Sequence, residues 1–342
     1  MRIPFNTIGT TALLAFSMVA QAALQGGLDA YYHGNYEIAL AEFKPLAEGG
    51  DAKAQYQLGT MCDQGKGVKQ DRQVALTWFR KAAEQGNADA QESLGVAYAD
   101  GNGVPQDLAQ ALSWFRKAAE QGERVAQYNL AVAYDTGQAV QQDTQQALSW
   151  YRKSAALGYA KAQYNLGISY YSGEGVSKDY REALSWFRKA ADRGDADAQF
   201  NLGVMYDNGE GVPQDYNEAM KWYRMADKQG NVAQAQLSLG EMYAVGRGVA
   251  QDYSEAALWF RKAAEQGRVK AQYSLGMAYK DGLGVPLDLV QARMWLDMAA
   301  AAGDENALAA RNAVDRKLTS VPAESTLAQK KKRQVKTPSI LH

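Results

Sequence analysis

Residues that could carry acid–base, nucleophilic or metal chemistry are few in this chain of 342 residues. Cys62 is the one cysteine, and the two histidines, His33 and His342, lie near opposite ends of the sequence. A disulfide within the chain is therefore impossible, and a cysteine-based zinc site is not expected. Because histidine is the side chain that normally titrates near neutral pH, little acid–base chemistry is available. We expect no catalytic centre, no metal site and no cofactor.

Aspartates recur in a pattern that could suggest repeated catalytic carboxylates. Seven aspartates follow one another at steps of 36 residues, with one step of 37: Asp71, Asp107, Asp143, Asp179, Asp215, Asp252 and Asp288. An aspartate at this kind of position also caps a helix, because its carboxylate accepts hydrogen bonds from free backbone N–H groups. Glutamine or glutamate follows three residues after six of the seven aspartates, Val74 being the exception. The spacing predicts six capping boxes, and we interpret the aspartates as helix starts.

The tryptophans follow the same period of 36 residues. They are Trp78, Trp114, Trp150, Trp186, Trp222, Trp259 and Trp295, with one step of 37 residues after Trp222. In the fourth unit, apolar residues recur every four residues over 162–170 and every three or four residues over 183–190. Each run is typical of one face of a helix, and the glycines between them end the first helix. The sequence therefore predicts two helices per unit. We interpret the tryptophans as packing against small alanines rather than as stacking platforms for bases or sugars.

The repeated pattern A-x-Q-Y-x-L-G, followed by G-x-G-V, D-x-x-x-A-x-x-W and K-A-A-x-x-G, is similar to the Sel-1-like repeat, a relative of the tetratricopeptide repeat. The resemblance covers residues 51–303 as seven repeats. It implies an all-α fold, a right-handed superhelical solenoid of helix-turn-helix repeats with a period of 36. Residues 23–50 resemble the shorter tetratricopeptide form, and residues 304–318 are expected to form a helix that caps the array. The third unit has Ala131 for the usual glycine and Gln138-Ala139 in its loop, so we expect a looser turn there.

The N-terminal residues 1–22 resemble a signal peptide. Arg2 precedes an apolar stretch at 8–19, and Ala20-Gln21-Ala22 matches a signal peptidase site. The apolar stretch is shorter than the roughly 20 residues that span a bilayer, although a short membrane anchor is the alternative interpretation. We expect cleavage near Ala22, a periplasmic or secreted protein, and no membrane span in the remaining chain.

The C-terminal residues 319–342 form a basic tail that we expect to be disordered. Its basic run extends from Lys330 to Lys336 and could contact an anionic surface. Since the formal net charge of the whole chain is −1, nucleic acid is not expected as a partner.

The resemblance implies where a partner binds, because the first helix of each pair lines the concave face in this family. The candidate partner-binding residues are Tyr56, Tyr128, Asn129, Lys161, Tyr164, Asn165, Phe200, Asn201 and Tyr273. The aromatic residues could instead serve packing between repeats. The sequence thus favours an exported bacterial scaffold for protein–protein interaction, with a peptide or protein ligand and no small-molecule substrate.

Two other functions remain as alternatives. One is a secreted effector or virulence factor that engages a host protein. The other is a hydrolase acting on β-lactams, as suggested for cysteine-rich relatives. Those relatives carry paired cysteines, whereas this chain has Cys62 alone. No nucleophile–base set recurs either, so we do not expect an enzyme.

Overall fold

The computed structural model describes residues 7–230 and 232–320, with side chains described at 18–230 and 232–319. This part of the chain contains seventeen α-helices and no strand. It divides into two compact units, with the boundary between Ser177 and Lys178. Within each unit, consecutive helices pack against one another. The fold is therefore an all-α solenoid of helix pairs, as the sequence predicts.

The first unit holds nine helices: α1 (Thr7–Tyr32), α2 (Tyr36–Glu48), α3 (Ala52–Gln64), α4 (Arg72–Glu84), α5 (Ala88–Asp100), α6 (Leu108–Glu120), α7 (Arg124–Thr136), α8 (Thr144–Ala156) and α9 (Ala160–Ser172). The second unit holds eight described helices: α10 (Tyr180–Ala191), α11 (Ala196–Asn208), α12 (Tyr216–Gly230), α13 (Ala233–Val245), α14 (Tyr253–Glu265), α15 (Val269–Asp281), α16 (Leu289–Ala301) and α17 (Glu305–Ser320). The odd-numbered helices from α3 to α15 are the first helices of the repeats, and the even-numbered ones from α4 to α16 are the second helices.

Each second helix begins at its predicted aspartate cap. In the second repeat, the carboxylate of Asp107 accepts the backbone N–H of Gln110 at 3.0 Å, and the other six aspartates make the equivalent bond. The expected capping box is nevertheless only half formed. The Asp107 N–H donates to the carbonyl of Tyr98 at 2.9 Å, and five further aspartates make the matching bond. Because a backbone carbonyl already accepts that N–H, the glutamine or glutamate three residues later is not its acceptor. The prediction of reciprocal capping boxes is therefore wrong at Asp107, Asp143, Asp215, Asp252 and Asp288.

The first helices end in left-handed glycines, which tolerate positive φ at little cost. Gly101 has a φ of 68° at the end of α5, and Gly137 has a φ of 72° at the end of α7. The third repeat does not have the looser turn that its sequence predicts. Ala139 takes a φ of 56° in place of the usual second glycine, and the N–H of Gln138 still bonds the Ala133 carbonyl. The loop geometry is retained at the expense of an alanine in a left-handed conformation.

In the first six repeats the core aromatic residue is the one after the tryptophan, and in the seventh repeat Leu296 holds this position. Phe115 packs against Gly95 so closely that a Cβ on that glycine would lie 2.5 Å from the ring. The tryptophans of the first six repeats are partly buried at the edge of the core, whereas Trp295 of the seventh is buried within it. Trp114, for example, packs partly buried against the core, and the Lys117 ammonium sits 4.0 Å from the centroid of its ring. A lysine covers the tryptophan in the same way in five repeats.

A row of buried glutamines links successive helix pairs. Gln91 on α5 donates its Nε2 to the carbonyl of Ala83 at 3.0 Å, and its Oε1 accepts from Gln121 at 2.7 Å. Gln55 makes the same two bonds one repeat earlier, with Gln85 as its donor. These bonds satisfy polar groups that would otherwise be costly to bury.

The ends of the array also pack as helices. At the N-terminal end, Phe43 of α2 is fully buried and lies against Gly27 of α1. At the C-terminal end, Ala307 and Val314 of α17 are fully buried against the last repeat. The helix α1 continues across the expected cleavage position after Ala22.

None of the described helices is long and apolar enough to cross a membrane. The start of the expected tail is helical, because residues 319 and 320 belong to α17. Residues 321–342, which include the basic run at 330–336, lie outside the described residues.

Candidate functional site

The predicted partner-binding residues all lie on first helices. Tyr56 is on α3, Tyr128 and Asn129 are on α7, and Lys161, Tyr164 and Asn165 are on α9, all in the first unit. Phe200 and Asn201 on α11 and Tyr273 on α15 belong to the second unit. Lys161 is exposed, and the other eight side chains are partly buried.

Three of the five predicted aromatic residues contact the core aromatics of the second helices. The ring centroids of Tyr56 and Phe79 lie 5.7 Å apart, as do those of Phe200 and Tyr223. Tyr128 lies 5.9 Å from Tyr151. Such distances are typical of packed aromatic pairs. These side chains therefore contribute to packing while part of each stays accessible.

Three clefts in the first unit recur at the repeat period, each between two successive first helices and the second helix that joins them. Cleft 1 has a volume of ≈ 250 Å³, and six of its lining residues are Tyr56, Asp63, Arg72, Phe79, Glu92 and Asn102. Cleft 2 has a volume of ≈ 290 Å³, and six of its lining residues are Val96, Ala99, Leu108, Leu112, Asn129 and Val132. Cleft 3 has a volume of ≈ 250 Å³, and six of its lining residues are Asp135, Leu148, Tyr151, Tyr164, Asn165 and Glu174. Four of the predicted residues thus line a cleft.

The charges of cleft 1 are largely satisfied by one another. Arg72 Nε lies 3.0 Å from Asp63 Oδ1, and Arg72 Nη1 donates to Asn102 Oδ1 at 2.5 Å. Burial raises the pKa of Glu92 to about 7, and the nearby charges of Glu123 and Asp89 add to the shift. A carboxyl with this pKa is partly protonated near neutral pH.

The repeat pattern does not single out Glu92 as a site residue, although a signal for it exists. Its equivalents one repeat before and after are Tyr56 and Tyr128, so a glutamate interrupts a series of aromatic residues.

Cleft 3 holds a hydrogen-bonded carboxylate beside a tyrosine. The Tyr151 hydroxyl donates to Asp135 Oδ2 at 3.1 Å, and Asn165 also hydrogen-bonds that hydroxyl. Burial and the negative charge of Asp135 raise the pKa of Tyr151 well above its ordinary value, which keeps the phenol protonated. Over the described residues, no group of three or more His, Cys, Asp or Glu side chains is placed to hold a metal ion.

Helix pairs that recur about every 36 residues, with second helices capped by aspartate and buried glutamines between pairs, place this chain in the class of α-solenoid repeat proteins. The Sel1 repeat model matches residues 52–87, 88–123, 124–159, 160–195, 196–231, 233–267 and 269–304. The chain belongs to the Sel1 repeat family.

Two solved structures illustrate the relationship. A protective antigen of uropathogenic Escherichia coli strains with an SLR fold is 31% identical, with a TM-score of 0.60, over 96% of this chain and 82% of the antigen. A Sel1 repeat protein from Oxalobacter formigenes is 37% identical, with a TM-score of 0.64, over 72% of this chain and 99% of that protein. Among curated proteins, none matches this chain significantly.

Proposed function

We propose that this protein is a non-catalytic scaffold that binds a protein or peptide partner on the surface of its first helices. The observation that carries the proposal is the recurrence of clefts 1 to 3 along successive first helices. A solenoid presents such equivalent surfaces in a row, which suits an extended ligand. Partly buried tyrosines beside amide side chains provide contact area and hydrogen bonds to a peptide backbone.

The proposed location is the periplasm or the exterior of the cell. Residues 1–22 support export through the positive charge of Arg2, the apolar stretch and the Ala20-Gln21-Ala22 site. The similarity to a protein described as a protective antigen is consistent with a location outside the cytoplasm. The same similarity favours, as a second candidate, a secreted effector that engages a host protein.

Site-specific photo-crosslinking tests partner binding. A photo-reactive residue replaces Tyr164 on α9 or Phe200 on α11, and a matched control replaces the exposed Ser149 on α8. We expect one specific envelope or host protein to be joined at the two first-helix positions and not at Ser149. That product should disappear when Asn129, Asn165 and Asn201 are all changed to alanine. Crosslinking through Ser149 alone would contradict the proposed surface.

Fractionation distinguishes the two candidate functions. The scaffold function predicts that the mature protein accumulates in the periplasm, with an N-terminus at Ala23 by protein sequencing. Accumulation in the culture medium or in host cells would favour the effector. A protein that stays in the cytoplasm with residues 1–22 intact would contradict both.

A further inference from the structure

Clefts 1, 2 and 3 occupy equivalent positions but differ in chemistry. The position held by Asp63 in cleft 1 is held by Ala99 in cleft 2 and by Asp135 in cleft 3. The position of Arg72 in cleft 1 is held by Leu108 in cleft 2. The first cleft is therefore internally ion-paired, the second is mainly apolar and the third is acidic. A surface that served packing alone would not need this alternation.

Cleft 2 is suited to an apolar side chain. Its lining is mainly apolar and includes Val96, Ala99, Leu108, Leu112, Phe115 and Val132. Three polar residues, Asp100, Asn129 and Gln138, also line it. Its volume of ≈ 290 Å³ far exceeds the roughly 30 Å³ of one water molecule, which leaves room for a leucine- or methionine-sized side chain. Leu108 at its edge is 38% exposed, so an incoming apolar group would remove apolar surface from water.

Cleft 3 is suited to a cationic side chain. Asp135 and Glu174 both line it, and no lysine or arginine does so among the described residues. The hydrogen bond from Tyr151 holds the carboxylate of Asp135 in place. In the neighbouring cleft 1, by contrast, Arg72 already compensates the carboxylate of Asp63.

The two clefts lie on either side of α7, which contributes Asn129 and Val132 to cleft 2 and Asp135 to cleft 3. A helix with its side chains is about 10–12 Å across. An extended chain in the polyproline II conformation advances about 3.1 Å per residue and repeats every three residues, so side chains three apart face the same way about 9 Å apart.

We propose that clefts 2 and 3 are neighbouring subsites for one extended segment of a protein partner. A leucine- or methionine-sized side chain enters cleft 2, and a lysine or arginine three residues away enters cleft 3. This inference rests on the proposed function and specifies the chemistry of the partner.

The subsites can be tested with substitutions, two of them to residue types that already occur at the equivalent positions of neighbouring repeats. Such substitutions are not expected to disturb the fold. Ala99→Asp adds a second carboxylate, next to Asp100, to the mainly apolar cleft 2, and aspartate already occupies the equivalent positions 63 and 135. Asp135→Asn keeps an acceptor for Tyr151 but removes the charge. Glu174→Gln installs the residue type found at the equivalent Gln138. Glu120→Gln, at an exposed position of α6 that lines none of clefts 1 to 3, is the charge-matched control.

The probe is a fluorescent eight-residue peptide with leucine at its third position, lysine at its sixth and a Pro-Pro spacer. Binding to the full chain is followed by fluorescence anisotropy and by ¹⁵N chemical shifts, after circular dichroism confirms that each variant is folded. We expect the Kd to rise about tenfold when the peptide leucine becomes serine, since burying a leucine side chain contributes at least this much. A rise of at least about tenfold is also expected when the peptide lysine becomes glutamate, because a like charge then meets Asp135 and Glu174. Ala99→Asp should cancel the leucine preference, and the combined Asp135→Asn and Glu174→Gln variant should cancel the lysine preference. Glu120→Gln should preserve both.

Two results would overturn the subsites. One is equal affinity for all four combinations of peptide side chains, which includes the case of no binding. The other is a partner crosslinked through Tyr164 that binds the cleft variants as well as the unaltered protein, in which case the proposed function stands and the subsite assignment fails. Absence of any partner at the first helices would instead contradict the proposed function itself.

Discussion

In the third repeat, Leu157 replaces the glutamine that donates a hydrogen bond to a buried glutamine in the first two repeats. Gln85 and Gln121 each follow the end of a second helix and donate to the buried Oε1 of Gln55 and Gln91, at 2.8 Å and 2.7 Å. Leu157 holds the next equivalent position, and the Oε1 of Gln127 is buried without a hydrogen-bond partner. A buried acceptor without a partner costs free energy of folding. Leu157→Gln should therefore supply the missing donor.

The backbone geometry and the exposure of Leu157 indicate how much Leu157→Gln should raise the free energy of unfolding. Leu157 has φ −82° and ψ 5°, against φ −83° and ψ −2° for Gln121, so glutamine fits the backbone without rearrangement. Leu157 is 50% exposed, so replacing it sacrifices little buried apolar surface. One hydrogen bond to a previously unpaired buried oxygen should raise the free energy of unfolding by about 1 kcal/mol.

The assay is urea unfolding followed by circular dichroism at 222 nm. Leu157→Gln should move the midpoint to higher urea with an unchanged slope. The matched reverse substitution, Gln121→Leu, should lower the free energy of unfolding by about 1–3 kcal/mol because it leaves the oxygen of Gln91 unpaired. If Gln121→Leu destabilises while Leu157→Gln has no effect or destabilises, the missing donor is not what limits the third repeat, and the reasoning fails.

Three further substitutions test packing, backbone conformation and ionisation. Gly95→Ala should lower the free energy of unfolding by about 1–3 kcal/mol, because its Cβ would lie 2.5 Å from Phe115. Gly26→Ala, which meets open space, should have no comparable effect in the same urea titration. Ala139→Gly should raise the free energy of unfolding by about 1 kcal/mol in that assay, since it relieves a φ of 56°; a loss would mean that this loop is not strained. Glu92→Gln should become progressively stabilising, relative to the unaltered protein, as pH rises from 5 to 8. The raised pKa of about 7 means that folding opposes ionisation of Glu92; a difference in unfolding free energy that does not change with pH would contradict this.

The repeat, its two helices and its aspartate caps could be predicted from the sequence because they depend on local interactions. The Asp107 carboxylate reaches a backbone N–H only three residues away, and a glycine ends a helix through its own φ. Such signals repeat every 36 residues and need no knowledge of distant contacts. The reciprocal half of the capping box failed for the opposite reason. The N–H of Asp107 is bonded to Tyr98 on the preceding helix, which is a contact that neither the aspartate nor its third neighbour encodes.

For the candidate site too, the sequence predicts which helices carry the residues, and the packing of the helices determines which residues share a cleft. The periodic pattern alone is enough to place Tyr56, Tyr128 and Asn165 on first helices. It does not show that Asp135 and Glu174 line the same cleft, because these residues are 39 positions apart and share cleft 3 only when α7, α8 and α9 are packed. Nor does it show that burial raises the pKa of Glu92.

The all-α repeat fold, the positions of its helices and the scarcity of residues for catalysis all follow from the amino-acid sequence. Helix periodicity, helix caps and glycine turns each depend on a few residues that are close together in the sequence. The packing of helices against one another determines which aromatic fills the core, which buried glutamines are satisfied and which carboxylates share a cleft. Those outcomes depend on the distance and solvent exposure of groups from different helices, because packing density and the cost of burying polar groups act between elements rather than along the chain.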